Sequence, residues 1–130
     1  MSREPVNANV DTLGPYSPAI VAEGRFVYVS GQGAIRAGRY EGGSVADETR
    51  LAIENLFRIL EAAGCSPSDV VRCGVYLTDM AWFDQMNAAY MERFPEPRPA
   101  RTTIGVASLP GGIRVEIDCV AVLPGGQASA

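Results

Sequence analysis

Apolar and polar residues alternate along two neighbouring runs in the last third of the chain. In residues 113–122, Ile113, Val115, Ile117, Cys119 and Ala121 fall on one side, and Arg114, Glu116, Asp118, Val120 and Val122 on the other. This is the two-residue period of a strand with one buried face. In residues 99–107, Thr102, Ile104 and Val106 share one side, leaving Arg101, Thr103 and Gly105 opposite. Ser108-Leu109-Pro110-Gly111-Gly112 between them is turn chemistry, so the runs are expected to pair as an antiparallel hairpin. A second hairpin is expected near the N-terminus, where residues 19–22 and 25–30 flank Glu23-Gly24. Residues 70–78 are almost continuously apolar, as in a central strand covered on both faces.

Helical periodicity occupies the intervening segments. Ser44-Val45-Ala46-Asp47 has capping-box spacing, with Asp in place of the usual Glu or Gln. It opens a helix to Ala63 whose apolar stripe is Ile53, Leu56, Phe57, Leu60 and Ala63, and Gly64 stands where a left-handed C-cap belongs. Asp79 is expected to cap a second helix through Phe94, with Phe83, Met86, Tyr90 and Phe94 at core spacing and Asn87 on the stripe's edge. Pro95, Pro97 and Pro99 stop it. Residues 1–13 read as a polar, irregular surface arm, 34–43 as a Gly-rich loop and 124–130 as a frayed tail. The order β-β-α-β-α-β-β across a single domain, 1–130, predicts an α+β fold with one mixed sheet and two helices on one face. The other face then carries Arg101, Glu116, Val120 and Val122 together, and its branched apolar residues imply contact between copies of the chain.

Composition narrows the chemistry. The chain has 130 residues, a net charge of -4 and no run of basic residues, which argues against a nucleic-acid surface. It contains no histidine, which removes most metal sites, every Ser-His or Cys-His dyad and the commonest general base. Cys65, Cys73 and Cys119 form no Cys-x-x-Cys pair, so buried thiols in a reduced, cytoplasmic protein are expected. The first residues lack the apolar core of a signal peptide, and no apolar run is long enough to cross a membrane. Arg101 and Glu116 stand out. An arginine grips a carboxylate in a bidentate fork, which leaves the glutamate to handle a proton or a water. An ordinary cross-strand ion pair fits the same spacing, and the residues alone leave both open. The glycines of Ser30-Gly31-Gln32-Gly33 either admit a close neighbour or ligand or simply punctuate a turn.

Taken in order, several short motifs resemble the Rid (YjgF) family along essentially the whole chain. They are Gly14-Pro15-Tyr16-Ser17, Ser30-Gly31-Gln32, Asn55, Ala62-Ala63-Gly64 and Tyr76-Leu77-Thr78-Asp79, followed by Phe83, Asn87, Tyr90, Pro99-Ala100-Arg101, Leu109-Pro110 and Glu116. The resemblance implies a chorismate-mutase-like fold and a homotrimer with sites at the subunit interfaces. It also implies hydrolysis of reactive 2-imino and enamine acids to 2-oxo acids and ammonia, without metal or cofactor. The ligand is then a small carboxylated imine or 2-oxo acid. By the same resemblance Arg101 binds the substrate carboxylate and Glu116 positions the water. Tyr16, Ser30 and Asn87 line the pocket, and Gly31 is the small residue beside it. Two positions depart from the family pattern. Thr103 replaces a common cysteine, which keeps a small polar side chain but removes thiol-based redox control. Glu48 stands where glutamine is usual and adds a negative charge. The alternatives are a non-catalytic trimer that binds 2-oxo acids, a 2-aminomuconate-type deaminase and a ribonuclease. Acidic charge and the missing histidine count against the last.

Overall fold

The computed structural model describes residues 3–125. Its strands are β1 (Arg3–Val6), β2 (Ala19–Ala22), β3 (Phe26–Gln32), β4 (Ile35–Arg36) and β5 (Arg39–Tyr40), then helix α1 (Val45–Ala63) and β6 (Val70–Leu77). Helix α2 (Phe83–Arg93), β7 (Ala100–Gly105) and β8 (Val115–Val122) complete it. The main sheet is mixed and runs β3-β8-β6-β7; β8 is antiparallel to both neighbours, and β6 and β7 are parallel. The fold is therefore α+β, with two helices packed on a mixed sheet.

Local signals behave as read. Ser44 and Asp47 close a reciprocal capping box at the start of α1, and Gly64 ends it in the left-handed region at φ 90°. Ile53, Leu56 and Leu60 from α1 and Met86, Tyr90 and Phe94 from α2 are buried against Cys73, Val75, Leu77, Val115, Ile117 and Cys119. These strand residues all point to one side of the sheet, as the two-residue period requires. Asp79 caps a short 3-10 turn (Met80–Trp82) rather than α2 itself, and Phe94 is the residue that closes α2.

Strand pairing differs from the expected hairpins in two places. First, β7 and β8 do not pair with each other. Helix α2 carries the chain from β6 back to a parallel β7, the crossover connection that parallel neighbours require. The 106–114 connection then passes over the end of β6, where Val106 N–H donates to Leu77 O at 2.8 Å and Thr78 N–H to Arg114 O at 3.1 Å. Second, β2 pairs with β1 instead of β3. The segment 1–13 is thus not wholly irregular. Arg3 is buried and donates from Nε to Val70 O (2.8 Å) and from Nη2 to Pro97 O (2.7 Å), tying β1 to the body of the protein. The 34–43 loop is the β4–β5 ribbon, held by Asn55 Nδ2 donating to Gly33 O and Ile35 O at 3.1 and 3.0 Å. Most of the 124–130 tail lies outside the described residues.

Glu48 is fully buried, at 0% exposure. Its carboxylate accepts from Tyr40 Oη at 2.6 Å, Arg114 N–H at 3.0 Å and Arg114 Nε at 2.5 Å. Arg114 also donates to Gly43 O and stacks over Trp82. The departure at position 48 is therefore a structural tie between α1, the β5 loop and the start of β8. Glu48→Ala strands the Arg114 and Tyr40 donors, and a loss of about 3 kcal/mol is expected. Urea unfolding measures it, and a change under about 0.5 kcal/mol would refute the role.

Candidate active site

Arg101 sits on β7 in register with Cys73 of β6, and Thr103 with Val75. Register partners share a face, so Arg101 and Thr103 point toward the helices. Glu116 on β8 is in register with Tyr76 of β6 and points to the open face. The expectation that Arg101 and Glu116 lie on the same, non-core face is thus overturned. Alternation was read correctly along the 99–107 run, but the helices cover its Arg101 side and leave Thr102 and Ile104 exposed.

The guanidinium of Arg101 is 7% exposed and enclosed by aromatic rings. Its Cζ lies 4.8 Å from the Tyr90 ring centroid, 5.0 Å from Tyr16 and 5.8 Å from Phe83. Among the described residues, Nε, Nη1 and Nη2 have no hydrogen-bond partner. Burial lowers its pKa from the usual arginine value, with Tyr90 and Tyr16 partly opposing that, though a guanidinium remains a cation in a protein. Beside it opens a cavity of about 380 Å³ lined by Leu13, Tyr16, Met80, Phe83, Arg101 and Thr103. Asn87 Oδ1 and Thr103 Oγ1 are also buried and unpartnered among the described residues. Gly14 completes the wall. A Cβ there would stand 2.8 Å from Arg101 Nη2 and 3.3 Å from the Asn87 amide, so only a bare backbone passes this close.

The structure brings Tyr16, Asn87, Arg101 and Thr103 together. It places Ser30, Gly31 and Glu116 elsewhere, at the opposite side of the sheet. β3 and β7 are its two edges, about 14 Å apart at three strand spacings. Ser30 and Gly31 lie in the irregularity of β3 between Val29 and Gln32, and both are exposed. Gly31 faces the Glu116 carboxylate so closely that an added Cβ would stand 2.1 Å from Oε2. Gly31→Ala must therefore displace that carboxylate.

Sequence reading assigned Phe83 and Tyr90 to the core and missed their place around Arg101. The signal was present in their spacing. Phe83, Asn87 and Tyr90 fall on one stripe of α2, and the stripe's polar member marks where the core gives way to a cavity. Arg36, Arg39 and Tyr40 lie outside this lining; Arg36 pairs with Glu41 at 2.7 Å and Tyr40 bonds to Glu48. All three cysteines are free and buried, and burial pushes the Cys73 thiol up to about 12, leaving it protonated and inert.

Residues 6–123 match the family model described as endoribonuclease L-PSP. The human protein named 2-iminobutanoate/2-iminopropanoate deaminase is 40% identical over 112 residues, spanning 85% of this chain and 81% of that protein. Among solved structures, YyfB from Yersinia pestis, described as a member of the Rid protein family, superposes with a TM-score of 0.79 at 29% identity, covering 95% of this chain and all of that one (100%). TdcF from E. coli with bound serine superposes at 0.68 with 32% identity, covering 85% and 90% of the two chains.

Proposed function

Because the chain belongs to the Rid (YjgF, endoribonuclease L-PSP) family, we propose that it hydrolyses 2-imino and enamine acids to 2-oxo acids and ammonia, at sites shared between copies of the chain in a homotrimer. One observation carries the reading. A buried guanidinium faces a cavity with no nitrogen paired among the described residues, and a buried cation without a counter-ion is costly unless a ligand supplies the anion. A substrate carboxylate completes it through two parallel, charge-assisted hydrogen bonds.

Glu116 supports the shared arrangement. Arg101 and Glu116 lie on opposite faces of one sheet, so one copy cannot direct both at a single small molecule. The open face bears exposed Tyr28 (77%) and Ile104 (44%), the kind of surface another copy would cover. A neighbour's Glu116, docked over the Arg101 cavity, completes the chemistry. Arg101 holds the carboxylate, and the glutamate takes a proton from a water whose oxygen attacks the imine carbon. The C=N electron pair moves to nitrogen, giving a carbinolamine. Glu116 then returns that proton to nitrogen, and as the C–N bond breaks it carries the carbinolamine's hydroxyl proton to the same nitrogen, so that ammonia leaves, the carbonyl forms and the carboxylate is restored. Imines already hydrolyse in water, so orientation and a single proton relay suffice. Tyr16 stacks on the guanidinium, while Asn87 Oδ1 and Thr103 Oγ1 are free to bond the substrate's N–H or the water. Gly31 borders the carboxylate of Glu116, with Ser30 beside it in the chain. The scheme uses no cofactor, and protonated, buried thiols suit a cytoplasmic setting.

The test generates several 2-imino acids in place with an amino-acid oxidase and follows ammonia release against the uncatalysed rate. Acceleration supports hydrolysis. Binding of a 2-oxo acid without acceleration would make the protein a metabolite-binding trimer instead, and neither binding nor acceleration would remove Arg101 as an anion site. Sedimentation of the same preparation reads the oligomeric mass.

A further inference from the structure

We infer that Tyr90 is a positioning residue whose buried ring holds the Arg101 guanidinium in place and offsets its charge, leaving all of its N–H donors for the ligand. The inference rests on the reading of Arg101 as the carboxylate anchor. Tyr90 is 0% exposed and is the ring nearest the guanidinium, at 4.8 Å. Phe83 is farther, at 5.8 Å, and Tyr16 stands on a loop rather than on a helix.

Buried arginines ordinarily pair with a carboxylate. Here a carboxylate of the same chain would occupy the donors and have to be displaced by every anionic ligand. An aromatic face solves this differently. It attracts the cation through the ring quadrupole. A ring face has no lone pair to take a strong hydrogen bond, so the attraction leaves the N–H donors for a ligand. The unpartnered Nε, Nη1 and Nη2 are the signature of this arrangement.

The ring is itself fixed. It packs on Phe94 with centroids 4.6 Å apart, and its buried hydroxyl has no hydrogen-bond partner among the described residues. Cys73 is the register partner of Arg101, so one strand pair sets both the ring's floor and the arginine's origin. With the hydroxyl unpartnered among the described residues, the ring face carries the effect.

The test replaces residue 90 of the full chain with Phe, as the reference that keeps the ring, and then with mono-, di- and pentafluorinated phenylalanine. These keep nearly the same shape while withdrawing electron density from the face. The Kd for 2-oxobutanoate by calorimetry and the KM for 2-iminobutanoate are expected to rise stepwise, about tenfold across the series, with kcat changing far less. Tyr90→Leu should bind at least as weakly as the most fluorinated form. A flat Kd along the series, while the unsubstituted protein binds 2-oxobutanoate, overturns the role of Tyr90 and leaves Arg101 as the anchor. Failure of the unsubstituted protein to bind or to turn over substrate overturns the Arg101 reading, and the inference with it.

Discussion

Replacing Arg101 with Met is expected to abolish measurable turnover and, at the same time, to stabilise the protein. The first effect follows from two charge-assisted hydrogen bonds to the substrate carboxylate, each contributing about 1.5–3 kcal/mol, so kcat/KM should fall by about three orders of magnitude. The second follows from the site's own energetics. The guanidinium is buried with no hydrogen-bond partner among the described residues, and burial is the largest cause of its lowered pKa. A folded state that disfavours the charged form holds that charge at a cost. Methionine is unbranched and of similar length, and its sulfur packs well against Tyr16, Phe83 and Tyr90. Exchanging a buried charge for a well-packed apolar chain is commonly neutral or stabilising by roughly 1–4 kcal/mol. Thermal unfolding beside the imine assay reads both. A variant that melts earlier yet keeps its activity would contradict the site on both counts. Arg101→Lys separates charge from shape, since an ammonium keeps the charge but loses the fork, and an intermediate loss is expected.

Glu116→Gln should leave binding of a 2-oxo acid nearly unchanged and lower kcat by about 10²–10⁴-fold, the range for loss of a general acid-base group. Its more informative use is in mixture. A chain carrying Glu116→Gln still offers Arg101, and a chain carrying Arg101→Met still offers Glu116. If each site takes its arginine from one copy and its glutamate from the next, co-refolding the two inactive variants restores intact sites. Random mixing regenerates roughly a quarter of them. The measurement is ammonia release from the mixed oligomers against each variant alone. No recovery, in mixtures shown by mass to have exchanged chains, would mean that the two residues never meet across an interface.

Short-range physics made much of this protein legible from its residues. The Ser44–Asp47 capping box, the left-handed Gly64 and the apolar stripe of α1 act within one or two helical turns, and each appears where the pattern puts it. The alternation in residues 113–122 and the apolar run of 70–77 likewise produced β8 and the internal strand β6. Motif order along the chain was enough to reach the family.

Pairing and placement were decided elsewhere. Alternation says which residues share a face but not which face the helices cover, so the pattern alone groups Arg101 with its neighbours but not with the side the helices occupy. A turn-like Pro-Gly-Gly made β7 and β8 look like a hairpin. The crossover through α2 had already seated β7 beside β6, and the connection bridges the end of that strand instead. Nothing near residue 3 announces that Arg3 will reach Val70 and Pro97. The residues themselves determined the elements, because helix and strand periods are local free energies written in consecutive side chains. Only the tertiary structure decided that α2 would ring Arg101 with aromatic faces and that Glu116 would lie across the sheet from it, because those relations depend on contacts between residues far apart in the chain, which leave no local mark.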